Sequence, residues 1–243
     1  TAITTFIGSA PKVAAFGLAY RLLETGLGGL SGQWTLMLAI LAVLSLAIGN
    51  LFAIAQTNLK RMLAYSTISH VGFLLLGFVG ATPAGYSAAM FYAISYGLTA
   101  VVAFGMIALI ARAGFEAEEI SDFKGLNQRN PWYAAVMSLA MFSLAGVPPL
   151  FGFFAKLLVL KAAIDAGFLW LAIVAIIFAI VGIYYYLRVV KVIYFDAAED
   201  EAKLALPSDI PLRWAISING VALLVMGLAW GPLFDWCNRA FGL

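Results

Sequence analysis

The sequence predicts an all-α, polytopic membrane protein: a bundle of about seven transmembrane helices, one of them broken by prolines. Three observations carry this prediction. Of the 243 residues, 64% are hydrophobic and only 11% are charged, with a mean hydropathy of +1.00. A soluble globular chain is about 45–50% apolar and about 25% charged, so this composition suits lipid rather than water. Long apolar stretches recur, each near the roughly 20 residues that a helix needs to cross a bilayer. Finally, LAGVPPLFGFFAKLLVL at 144–160 places adjacent prolines, and then a lysine, inside one such stretch.

In order, the apolar segments are 2–23, 34–56, 61–80, 85–111, 132–164, 168–195 and 212–236. None alternates apolar and polar residues, which argues for helix over barrel strand. Helices also satisfy their own backbone hydrogen bonds, as lipid demands. Segment 132–164 is longer than one span needs and is expected to form two half-helices meeting near Gly146–Pro149. ETGLGGLSG (24–32) reads as a flexible turn, and the polar stretches 111–131 and 196–211 are long enough to carry short surface helices. GLGGLSG imitates a phosphate-binding loop, but it follows an apolar helix and lacks the downstream Gly-Lys-Ser/Thr.

If the helices alternate direction, one membrane face receives Lys60, Arg61, Arg112, Lys124, Arg129, Arg188, Lys191, Lys203 and Arg213. The other receives Arg21, Lys161 and Arg239. By the positive-inside rule the first face is cytoplasmic (or matrix), with the start of the chain on that side and Leu243 outside. The chain begins at Thr1 with no basic, cleavable leader, and the expectation is of a longer protein with an upstream part. Cys237 is a lone cysteine, so neither an intrachain disulfide nor a multi-cysteine cluster is expected. One histidine and no intramembrane carboxylate cluster point to no metal site and no nucleophile–His–acid set. Nothing suggests nucleic-acid binding.

Most charges fall at helix ends. The exceptions are Lys12, His70 and Lys156. A lysine at mid-membrane costs several kcal/mol, estimates running from about 2.5 to above 10, and such residues by default mark an ion or proton path. Each also has a plainer reading. Lys12 could lie near the interface and snorkel, Lys156 could do the same, and His70 serves equally well as a hydrogen bond between helices. Lys161, Asp165 and the Lys60–Arg61 pair read as interfacial anchors, as do Arg188 and Lys191 at the end of the 183–195 stretch.

The prolines give Lys156 its context. Pro148 and Pro149 donate no backbone hydrogen bond and their rings open the preceding turn. The freed carbonyls need polar partners, so broken helices at membrane depth line cavities, and transporters use them as ion sites. An amine one or two turns beyond Gly146, Pro148 and Pro149 shares that pocket, where it can gain and lose a proton. Pro11 is expected to loosen the first helix beside Lys12 in the same way, on a smaller scale.

QTNLKRMLAYSTISHVGFLLLGF (56–78), SLAGVPPLFGFFAKLLVL (143–160) and GIYYYLRVVKVIYF (182–195) resemble the antiporter-like membrane subunits of respiratory complex I, in order and across essentially the whole chain. Within that family they are most similar to the subunit N branch of the bacterial proton-translocating NADH–quinone oxidoreductase, whose mitochondrial counterpart is subunit 2. The resemblance implies that residues 1–243 form one antiporter-like domain, helices eight to fourteen of a fourteen-helix fold. That is the second five-helix repeat with one flanking helix on each side. It also implies a relay through Lys12, His70 and Lys156, which fall on the family's eighth-, tenth- and twelfth-helix positions. Partners would be neighbouring antiporter-like and small membrane subunits, together with lipids. No cofactor is implied on this chain; flavin, iron–sulfur clusters and quinone would sit on partner subunits. The location implied is the bacterial inner membrane, ahead of the mitochondrial one. The sister subunit M carries glutamate where Lys156 stands, and subunits M and L carry histidine where Tyr96 stands in AISYGLTA. A cation/proton antiporter uncoupled from electron transfer would use the same fold, and a scaffold whose lysines pair with acids of neighbouring chains is the third reading.

Overall fold

The computed structural model describes residues 2–111, 117–197 and 210–243. Its ten helices among the described residues are α1 (Ala2–Tyr20), α2 (Ser31–Ile54), α3 (Leu59–Leu76), α4 (Pro83–Ile110), α5 (Leu126–Arg129), α6 (Pro131–Ala145), α7 (Phe151–Asp165), α8 (Leu169–Phe195), α9 (Ile210–Leu228) and α10 (Trp230–Ala240). Gly28–Ile54, Pro83–Ile110, Leu169–Phe195 and Ile210–Leu228 are each long and apolar enough to cross a membrane. The seven expected crossings are therefore not seven uniform rods. Helix α3 opens with Lys60 and Arg61, and α6 and α7 have 15 residues each.

Local chemistry sets the boundaries. The Asn58 side chain accepts from Arg61 N at 2.9 Å and starts α3, and Thr82 does the same for α4 through Gly85 N at 3.1 Å. Such caps satisfy backbone donors that a helix start leaves unpaired. Pro83 and Pro131 occupy the first positions of α4 and α6, where a missing N–H costs nothing. The expected flexible turn at 24–32 is instead wound into a π turn (Arg21–Gly26) and a 3₁₀ turn (Gly28–Leu30). The last segment ends as a span at Leu228. Ala229 leaves helical geometry (φ −117°, ψ 46°), and Pro232, in the first turn of α10, cannot continue a helix from before it.

Helix α4 is the axis of the bundle: 78% of its most apolar stretch is buried, against 22–39% for α2, α8 and α9. Helices α2 and α3 pack backbone to backbone. A Cβ on Gly49 would sit 2.4 Å from Ser69 N, and one on Gly72 would sit 2.8 Å from the Leu46 side chain. Small residues permit this approach, which matters where lipid offers no hydrophobic drive between helices.

Two ends are distinct. At one, Leu59 N donates to Glu118 O (2.6 Å), Ile120 N to Thr57 O (3.0 Å) and Gly125 N to Val192 O (3.4 Å), gathering Lys60, Arg61, Lys124, Arg129, Arg188 and Lys191. Arg112 and Lys203 lie outside the described residues. At the other end Tyr86 OH donates to Glu24 and Ser87 Oγ to Asn238, each at 2.5 Å. Arg188 corrects its expectation. It turns inward and donates to the carbonyls of Ile54 (3.3 Å) and Gln56, satisfying the acceptors that the end of α2 leaves open.

Candidate functional site

Helix α6 ends at Gly146, whose φ of +85° is left-handed and suits glycine. Its last four carbonyls can be followed one by one. Gly146 N donates to Phe142 O and Ser143 O, each at 3.0 Å, and Val147 N donates to Phe142 O at 2.9 Å. This Schellman-like closure leaves Leu144 O and Ala145 O. Both are taken by Lys156 Nζ, at 2.8 and 2.9 Å. Gly146, Pro148 and Pro149 thus lie in a true gap between α6 and α7, and the lysine beyond the gap fills the acceptors that the gap creates. The carbonyl end of a helix carries partial negative charge, which favours an ammonium there.

Lys156 is buried at 8% exposure, in the otherwise apolar stretch 151–160 that opens α7. Its nitrogen also sits 5.0 Å from the centre of the Phe73 ring. The gap is tight: Gly152 N donates to Ser143 Oγ at 3.1 Å, and a Cβ on Gly152 would fall 2.0 Å from Ser143 O. Beside Lys156 lies a cavity of about 10 Å³, lined by His70, Tyr92, Ser95, Tyr96, Thr99 and Ser143 among others. That is room for the centre of about one water. Ser95 Oγ, buried and without a hydrogen-bond partner, is on its wall.

His70 is buried on α3 between two tyrosines, with Nδ1 2.6 Å from Tyr92 OH and Nε2 3.0 Å from Tyr186 OH. A second cavity of about 10 Å³ on its other flank is lined by Lys12, Tyr92 and Tyr96. Lys12 is half-buried; its amine lies 3.8 Å above the Tyr96 ring and 3.4 Å from Thr67 O. Helix α1 runs through Pro11 without a break, so the expected loosening there does not occur. A single proline removes one hydrogen bond, whereas the α6–α7 gap adds a left-handed glycine and a second proline.

Three residues far apart in sequence therefore border two adjoining cavities that meet at His70. Of the hydroxyls nearby, Thr99 lines the Lys156 cavity and bonds Ser143 Oγ at 3.2 Å. Ser66 lies within reach of Tyr186. Ser69 accepts from Asn50 Nδ2 at 2.8 Å, and Tyr65 is diverted to stack on Phe52 at 5.4 Å. Sequence reasoning missed Tyr92, Tyr186, Tyr185 and Asn50. Tyr185 OH donates to Asn50 Oδ1 at 3.0 Å, extending a polar branch into the α2–α8 contact. The i, i+4 spacing of Tyr92 and Tyr96, which sets both on one face of α4, was the available signal.

The sequence profile of the NADH:quinone oxidoreductase/Mrp antiporter transmembrane family matches residues 1–182. The chain belongs to this family. An NADH-quinone oxidoreductase subunit N from Xanthomonas euvesicatoria pv. vesicatoria is 56% identical over 239 residues, which is 98% of this chain and 49% of that protein. The chain thus spans about half the length of the curated relatives it matches. Among solved structures, a chain of respiratory complex I from Thermus thermophilus with bound aureothin superposes with a TM-score of 0.72 at 32% identity, covering 82% of this chain and 44% of that one. A chain of the Mrp complex from a Dietzia species superposes with a TM-score of 0.81 at 24% identity, covering 94% and 50%. The latter likeness shows the shared antiporter-like fold alone. As a member of the NADH:quinone oxidoreductase/Mrp antiporter family, the chain is a multi-pass membrane protein.

Proposed function

We propose that this chain is part of a proton-translocating membrane subunit of an NADH–quinone oxidoreductase, resident in a bacterial inner membrane. Residues 1–243 supply the antiporter-like half with Lys12, His70 and Lys156. The observation that carries this reading is the seat of Lys156: its amine takes both carbonyls left by the broken helix while bordering a one-water cavity shared with His70. Lysine is the one group there whose charge the half-helix end stabilises, and no carboxylate among the described residues pairs with it. Protons would pass between Lys12 and Lys156 by way of His70 and the cavities on its two sides. Quinone reduction on other subunits would supply the energy. Flavin, iron–sulfur clusters and quinone belong to those partners, and neighbouring antiporter-like and small subunits and lipids would cover the exposed apolar faces.

The test is proton translocation per electron in membrane vesicles, with assembly checked on native gels. Lys156→Met keeps a long side chain without a titratable amine, so assembly should survive and pumping should not. Lys156→Arg holds a proton without releasing it and should pump poorly, while Lys156→Glu still titrates but sets a carboxylate against the Leu144 and Ala145 carbonyls and should pump below wild type. Normal pumping by arginine with a dead glutamate variant would make Lys156 a fixed charge and refute the relay. The likeness to the Mrp complex supports a second reading, a cation/proton antiporter uncoupled from electron transfer. Purification of the protein without flavin and iron–sulfur subunits would favour it.

A further inference from the structure

Lys12 differs from Lys156 in what holds it. Among the described residues it has no carboxylate partner, and its one hydrogen bond, to Thr67 O, is long at 3.4 Å. Its nitrogen also lies over an aromatic face, the Tyr96 ring, whose centre is 3.8 Å away. That ring is fixed. Thr67 Oγ1 lies 2.9 Å from Leu63 O and 2.6 Å from Tyr96 OH, and either hydroxyl can donate across the second contact. The Tyr96 hydroxyl is thereby tied to α3. Its ring remains, bordering both cavities and lying 4.7 Å from the His70 ring.

We propose that Tyr96 is a positioning residue that seats Lys12 only while Lys12 is charged. The face of an aromatic ring carries negative quadrupole density, which attracts an ammonium and gives a neutral amine no comparable pull. The attraction strengthens where water is scarce. Protonated Lys12 is therefore held over the ring, at the cavity it shares with His70. When the proton leaves Nζ for the imidazole, the neutral amine loses its seat over the ring. The ring thus ties the position of the side chain to its proton load, a task that neither a hydroxyl nor an aliphatic residue would perform. This rests on the relay proposed above.

The experiment uses the full-length protein in its native membranes, with residue 96 replaced by phenylalanine, by its mono-, di- and trifluorinated forms, and by leucine. Fluorination drains the ring face of charge while nearly preserving its shape. Tyr96→Phe should keep most of the translocation. Each added fluorine should lower the initial rate, to about tenfold below Tyr96→Phe for the trifluoro form, as expected from losing a desolvated cation–π contact. Tyr96→Leu should match or fall below that. A flat fluorinated series, or leucine equal to phenylalanine, overturns the proposal. Lys12→Met separates the two levels. If it pumps normally, the relay itself fails and the seat with it; if it is dead while fluorination has no effect, only the Tyr96 seat falls.

Discussion

Lys12 and Lys156 are both amines set in apolar helices, yet the protein holds them by opposite means. Lys156 sits beside a helix that has been cut, and two backbone carbonyls receive it. Lys12 sits on a helix that runs unbroken through its proline, so no carbonyls are released, and an aromatic face takes their place. One is buried, the other half-buried. A backbone seat is rigid and, although the helix end favours the ammonium, still holds the neutral amine, because both states donate hydrogen bonds. A ring seat selects for charge. Breaking a helix is thus a way to make a permanent site, and keeping it whole leaves room for a conditional one.

The contrast can be broken most severely at the gap. Gly152→Ala places a methyl group 2.0 Å from Ser143 O, where only backbone movement relieves the clash. A loss of about 3 kcal/mol or failure to assemble is expected, read as missing complex on a native gel. Next is Gly146→Ala, which forces a side chain into a φ of +85° and against the Lys156 stem at 2.9 Å. It should cost about 1–2 kcal/mol and depress pumping beyond what its thermal unfolding shift explains; unaltered pumping would mean that the seat is dispensable. Tyr186→Phe removes one hydroxyl from His70 and should cost about 1 kcal/mol, with slower translocation and normal assembly. At the smallest end, Pro11→Ala should leave translocation within about twofold of wild type, since α1 has no gap to close. A large loss there would mean that Lys12 uses freed carbonyls after all. Lys161→Ala is the control. Its exposed pair with Asp165 is worth about 0–1 kcal/mol, and melting should scarcely move.

These outcomes also show what the chain discloses before it folds. The gap and both lysines were legible because each is a local contradiction, a helix breaker or a charge inside an apolar run, and lipid makes such contradictions costly. The wiring between them was not. Tyrosines in a membrane chain are by habit interfacial, and only the packing of α3, α4 and α8 turns Tyr92 and Tyr186 toward His70. Arg188 was misplaced for the same reason: its reach inward depends on where α2 happens to end. Pro11 shows the converse failure. A local breaker need not break, because one lost hydrogen bond is tolerated when the neighbouring turns are intact.

In the relay proposed above, the imidazole between two phenols would act as a turnstile. Neutral His70 carries a single hydrogen, so of its contacts with Tyr92 (2.6 Å) and Tyr186 (3.0 Å) one must point outward and the other inward. A proton relayed in at one nitrogen and out at the other would leave the ring in its opposite tautomer, with both phenols swung round. A second proton arriving from the same side then meets a nitrogen already occupied. A further proton would pass only after the ring or the hydroxyls rotate back. Protons relayed through this point would therefore be counted one at a time, with a reset between crossings.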